Sequence, residues 1–295
     1  VTKTYSQYTS GFSAATSRQL IITVPASAPA LYYWCSQHSG MGGAINTNAT
    51  FGSSNFDGNI QSLVSANTTA GISVVRYTGD GSASATIGHG LGGKIDQIWQ
   101  KDLTATDSWH IFSKGMTSGY NLYFNNDGTN QNPGDGSIDN FTTTTFGFNA
   151  NGGNVNAVNE NNIPCICYCF RSVTGFSSFG TYKGNNNSVN GPMVYTGFKP
   201  TSILVKKMDA SGGYWVWSDN KRNSRSDTNG NGADRWLYVN TSDVEFDAGS
   251  YPVDLLSMGF KFKHNGNYQN GNNTYIYAAF GQSVVGSNNV PATAR

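Results

Sequence analysis

The chain has 295 residues, enough for one large or two to three small domains, each with a real core. Charged residues make up 12% and aromatic residues 13%, Gly fills 36 positions, and Glu160 and Glu245 are the only glutamates, so strands joined by Gly/Asn turns are favoured over helices or an α/β enzyme. A net charge of +1, with Lys and Arg scattered along the chain, provides no basic field for phosphates, and no nucleic-acid partner is expected.

Residues 1–50 are expected to form an N-terminal β segment. No apolar run reaches the ~18 residues of a membrane span, because LIITVPASAPALYYW is interrupted by Pro25 and Pro29, and no membrane insertion is expected. The opening VTKTYSQY is not a charged-then-apolar leader. The stretch QLIITVPASAPALYYWCSQHSGMGGAI places Cys35, His38 and Met41 in one turn after an aromatic strand. This C-x2-H-x2-M spacing resembles the copper loop of cupredoxins of the amicyanin type, where thiolate and imidazole bind in the trigonal plane and a thioether makes a weak axial contact. Such a site needs a second equatorial histidine, yet no His precedes His38, and His89, His110 and His264 belong to later segments. The resemblance therefore implies an incomplete site and no bound copper in this chain. Either the first half of a cupredoxin lies upstream of Val1, or the loop persists as a scaffold turned by Gly40, Gly42 and Gly43.

Residues 51–71 read as a connection, with Phe51, Phe56, Ile60 and Val64 available for packing. Beyond them the chain repeats itself. Tyr77-Thr-Gly matches Tyr182-Lys-Gly, Gly90-Leu91 matches Gly197-Phe198, and Trp109 falls on Trp215. NLYFN at 121–125 falls on WLYVN at 236–240, Phe146-Gly147-Phe148 on Met258-Gly259-Phe260, and CYCF ending at Phe170 on YAAF ending at Phe280. The offset of about 105 residues suits a whole sandwich domain better than a solenoid unit. Short alternating strands such as QIWQKD, WHIFSK and PCICYCF predict an all-β chain of two tandem antiparallel β-sandwiches, jelly-roll in style, over residues 51–181 and 182–295. On PCICYCF, alternation puts Cys165, Cys167 and Cys169 on one face and Ile166, Tyr168 and Phe170 on the other. Small packing groups under a sheet are the simpler reading of these thiols, a thiolate metal site the alternative.

Trp109, Trp215 and Trp217 are candidate sugar-stacking platforms, weighed against an ordinary core or sheet-face role. Asp227, Asn229, Asn231 and Asp234 alternate around glycines as calcium loops do, although Tyr238 stands where an EF-hand needs a bidentate Glu, and an ordinary Asn/Gly hairpin turn is the favoured reading. Calcium is the one cofactor these loops would suit. Asp243, Glu245 and Asp247 alternate as glycosidase carboxylates would, or as the solvated face of an edge strand. The histidines are not repeated between the two halves, and no Gly-x-Ser-x-Gly elbow accompanies them.

The set SANTTAGISVVRYTGDGSASATIGHGLGG, KID-IWQKD, Trp, GF and CYCF, with the ending AFGQSVVGSNNVPATAR, resembles a concanavalin-like repeat of undetermined function in structural proteins of marine tailed bacteriophages. The similarity spans about residues 55–295 and implies concanavalin or laminin-G-like sandwiches without catalytic residues. It further implies a place on the virion surface as tail fibre, appendage or capsid decoration, with other virion proteins and itself as partners, a homotrimer being the favoured assembly. A host-surface glycan is the remaining partner, which makes a lectin-like or glycoside-active protein the alternative.

Overall fold

The computed structural model describes residues 12–14, 20–22, 31–34, 42–45, 52–126, 136–150, 154–222, 232–247 and 253–282. The chain divides into two compact units, Val1–Ser54 and Asn55–Arg295. In the first, β1 (Phe12–Ala14) pairs antiparallel with β2 (Leu20–Ile22), and β3 (Leu31–Trp34) with β4 (Gly42–Ile45). Leu31 is buried while Tyr32 and Tyr33 are exposed. Cys35, His38 and Met41 lie outside the described residues.

From the boundary onward the strands are β5 (Ser53–Asn55), β6 (Ser62–Asn67), β7 (Ile72–Thr78), β8 (Thr86–Gly88), β9 (Gln97–Asp102), β10 (His110–Ser113), β11 (Leu122–Tyr123), β12 (Ser137–Asp139) and β13 (Thr145–Asn149). A four-residue helix, α1 (Asn156–Asn159), precedes β14 (Pro164–Phe170). The second half supplies β15 (Ser177–Lys183), β16 (Met193–Tyr195), β17 (Lys199–Lys207), β18 (Val216–Asp219), β19 (Gly232–Ala233) and β20 (Arg235–Tyr238). It closes with β21 (Phe246–Asp247), β22 (Val253–Leu256), β23 (Gly259–Phe262) and β24 (Thr274–Gln282). The chain is all-β, in antiparallel sheets, as its composition predicts.

The repeat seen in the sequence is a repeat of topology. The first half runs β11-β10-β9-β14-β7 in its large sheet, extended by β6 and β5, and β12-β13-β8 in its small one. The second runs β20-β18-β17-β24-β15, extended by β21, and β22-β23-β16, extended by β19. The strands β7 to β14 thus each have a counterpart in the same place in the second half, while β5 and β6 have none there. β5 and β6 correct the expectation for residues 51–71: they widen the large sheet, with Val64 in the core, and Phe56 is exposed rather than packed.

Alternation on single strands builds the layers. On β24, Tyr275, Tyr277 and Ala279 join the core beneath the small sheet of the second half. Ile276 and Ala278, from the opposite face, join the first half's core together with Phe179, Leu204, Met208 and Trp215. The two large sheets therefore pack face to face, each backed by its own small sheet. At this seam Phe170 lies 5.4 Å from Phe179 and 6.3 Å from Phe280, ring centre to ring centre.

The matched motifs have local causes. Tyr77 and Tyr182 both turn inward from the counterpart strands β7 and β15. Tyr77 bonds the carbonyl of Val158 and packs 6.2 Å from Phe146, while Tyr182 donates to the Gln269 carbonyl at 2.7 Å and packs 5.3 Å from Phe262. Two residues on, Gly79 and Gly184 run so close to the backbone that a Cβ would collide with the carbonyls of Glu160 and Gly271 respectively. Gly90 and Gly197 both take left-handed backbones, φ 69° and 81°, and thereby drive Leu91 and Phe198 into the cores. The cysteines fill core positions. Cys165 stands opposite Tyr77 as Tyr275 stands opposite Tyr182, and all three thiols are buried and free.

Candidate functional site

Trp109 and Trp215 occupy equivalent places, just before the counterpart strands β10 and β18. Phe124 N–H donates to the Trp109 carbonyl at 3.3 Å, and Val239 N–H to the Trp215 carbonyl at 2.8 Å. Their side chains nevertheless do different things. Trp215 is 1% exposed, packs 4.5 Å from Phe124, and donates its indole N–H to the Tyr123 carbonyl at 2.8 Å, tying one half to the other. It is thus a buried tie and not the exposed platform the sequence allows. Trp109 is half-buried, nearly parallel to Tyr168 at 6.2 Å and 29°, and edge-on to Phe124 at 6.5 Å.

Above this tie an open cleft of about 740 Å³ enters between the two large sheets. Trp99, Trp109, Phe124 and Tyr168 form its wall from the first half, and Trp217 and Val239 face them from the second. Trp99 sits between Phe170 at 4.6 Å and Phe124 at 4.9 Å and donates its indole N–H to Gln97 at 3.1 Å, so the wall is fixed from behind. Asn125, Asn240, Thr241 and Ser242 supply the polar part of the lining. Asn240 Oδ1 accepts from the Trp215 backbone N–H at 2.9 Å, which fixes its amide; Asn125 Nδ2 donates to Ser108 Oγ at 3.2 Å. Among the described residues no charged side chain lines the cleft. A flat apolar wall with amides and hydroxyls beside it is suited to binding through stacking and hydrogen bonds.

The other expected residues that the structure describes do not gather into a site. Asp234 is 4% exposed and neither carboxylate oxygen has a hydrogen-bond partner among the described residues, and Asp227, Asn229 and Asn231 lie outside them. Arg235 takes Glu245 at 3.1 Å and Asp247 at 2.8 Å, and Asp243 accepts from Thr241 at 2.9 Å, so these carboxylates are occupied as an edge strand's ion pairs are. Burial pushes the pKa of His89 and of His264 down to about 4, and each ring accepts a backbone N–H two residues on through Nδ1. His110 is buried beside Asn121 at 2.8 Å, and its hydrogen bond holds the Asp107 carboxyl below its usual range. Burial likewise drives the three thiols up, Cys165 to about 12, and Cys165 donates to Asp102 at 3.1 Å. Among the described residues no group of three or more His, Cys, Asp or Glu is placed to hold a metal ion.

Sequence reasoning found Trp109 and Trp217 but missed Trp99, Phe124 and Tyr168 as walls and Asn125 and Asn240 beside them. The signal for the two amides was present, since the matched runs NLYFN and WLYVN both end in Asn.

No curated protein and no solved structure matches the chain. A family model described as a domain of unknown function, DUF7483, matches residues 8–283, nearly the whole chain, and the protein belongs to that family.

Proposed function

We propose that the protein is a non-catalytic structural component of a tailed-phage particle, a tail fibre, appendage or capsid decoration, whose paired sandwiches contact neighbouring virion proteins or the host surface. One observation carries the reading: the same sandwich topology is used twice and its halves are locked by a shared aromatic seam, with the described histidines and thiols buried in it or in the cores. Rigid duplicated β modules are suited to assembly and contact, and self-association, as a trimer, is the favoured arrangement on symmetry grounds. The reading involves no cofactor. Mass spectrometry and immunogold labelling of purified particles test it, with the chain expected at fixed stoichiometry on the particle surface. Its absence from particles, or steady release of reducing ends from a surface glycan that Glu245→Gln abolishes, would overturn it.

A further inference from the structure

We infer that the cleft between the two large sheets is a binding site for a neutral oligosaccharide, built jointly by the two halves. This extends the surface-contact part of the proposed function and does not depend on where the protein sits in a particle. The volume of about 740 Å³ falls inside the usual small-molecule range and admits roughly two to three sugar rings. Trp109 and Tyr168, stacked at 6.2 Å and 29°, line the cleft from the first half, and Trp217 lines it from the opposite sheet. The C–H face of a pyranose stacks on such rings, while its equatorial hydroxyls need partners at the edge of the stack.

Those partners are present and unspent. Asn240 Oδ1 is committed to the Trp215 backbone, which aims the amide and leaves Nδ2 without a partner among the described residues. Ser242 Oγ, Asn125 Oδ1 and the indole N–H groups of Trp109 and Trp217 likewise make no hydrogen bond to a described residue. The described lining residues carry no charge and so favour an uncharged sugar over sialic or uronic acids, because an ionised ligand would lose hydration without gaining a counter-charge from them. A purely apolar guest fits less well, since it would cover these donors and acceptors and leave them unsatisfied.

The test titrates the whole chain with neutral hexose oligosaccharides of about three to six units, from the malto, cello, laminari and manno series. Calorimetry and tryptophan fluorescence report binding. The expected result is saturable binding of at least one series with a Kd between about 10 μM and 1 mM. Trp109→Ala should weaken it at least about tenfold, a loss of roughly 1.4 kcal/mol. Ser242→Trp, at an exposed position, should block the cleft without disturbing a core, so the test survives if the first variant folds poorly. Circular dichroism confirms folding of both. Failure of every series to bind, equal binding by wild type and both folded variants, or saturation of the cleft by a long-chain alcohol that no sugar displaces would each overturn the inference.

Discussion

Trp109 and Trp215 are one position in the repeat but should differ several-fold in what they contribute to stability. Trp215→Ala removes a fully buried indole from the seam, strips the ring contact to Phe124 at 4.5 Å, and breaks the hydrogen bond from the indole N–H to the Tyr123 carbonyl at 2.8 Å. Large aromatic deletions in cores cost roughly 3–5 kcal/mol, and the lost hydrogen bond adds about 1 kcal/mol, so the expected loss is about 4–6 kcal/mol. Trp109→Ala removes a half-buried ring with no hydrogen bond to a described residue and should cost about 1–2 kcal/mol at ~25 cal/mol per Å². Trp215→Phe keeps most of the packing and loses the hydrogen bond, and an intermediate loss of about 2 kcal/mol is expected. Urea unfolding followed by far-ultraviolet circular dichroism measures all three without relying on tryptophan emission. Because the first half's core runs on into residues of β17 and β24, a single transition is expected for the wild type. Equal losses for the two alanine variants, or separate unfolding of the two halves, would refute the seam as a shared core.

Three further outcomes follow from the buried polar groups. His89 and His264 titrate near 4 when folded and near 6.5 when unfolded, so between these values the unfolded chain binds protons that the folded one refuses. Stability should be full above about pH 6.5 and fall toward pH 4 by about 3 kcal/mol for each histidine, and denaturation across that window should flatten in His264→Asn. Cys165, Cys167 and Cys169, with thiol pKa values pushed up by burial, should resist iodoacetamide at about pH 8 in the native protein and react in guanidinium, as read by peptide mapping. Arg235→Ala breaks partly exposed ion pairs to Glu245 and Asp247 and should cost no more than about 1 kcal/mol, a difference that vanishes in high salt.

What could be read from the sequence, and what could not, follows from the range of the interactions. Alternation on PCICYCF placed the thiols correctly, because which face a strand residue takes is a local property. The order of matches from Tyr77 to Phe280 likewise found most of the counterpart strands, because each match carries a local demand such as the crowded Gly79 and Gly184, but no match marked β12 and β22 as a pair. The fate of Trp215 was not local. Its burial depends on the large sheets of two halves, about 100 residues apart in sequence, meeting face to face, and nothing near Trp215 announces that meeting.

The cleft arises where the two halves stop resembling each other. Trp99 stands across from Ile111 and Tyr168, and its counterpart Leu204 stands across from Trp217 and Ala278. The first half thus carries a large ring in its central and neighbouring strands where the second carries Leu and Ala, and the second has Trp217 where the first has Ile111. Identical halves would place like against like along the whole seam. The exchange of large and small residues instead gives a seam that is tightly closed at Trp215 and open at Trp109. A cleft made by divergence within a conserved topology is available for recognition without any change to the strands that hold the two sandwiches together.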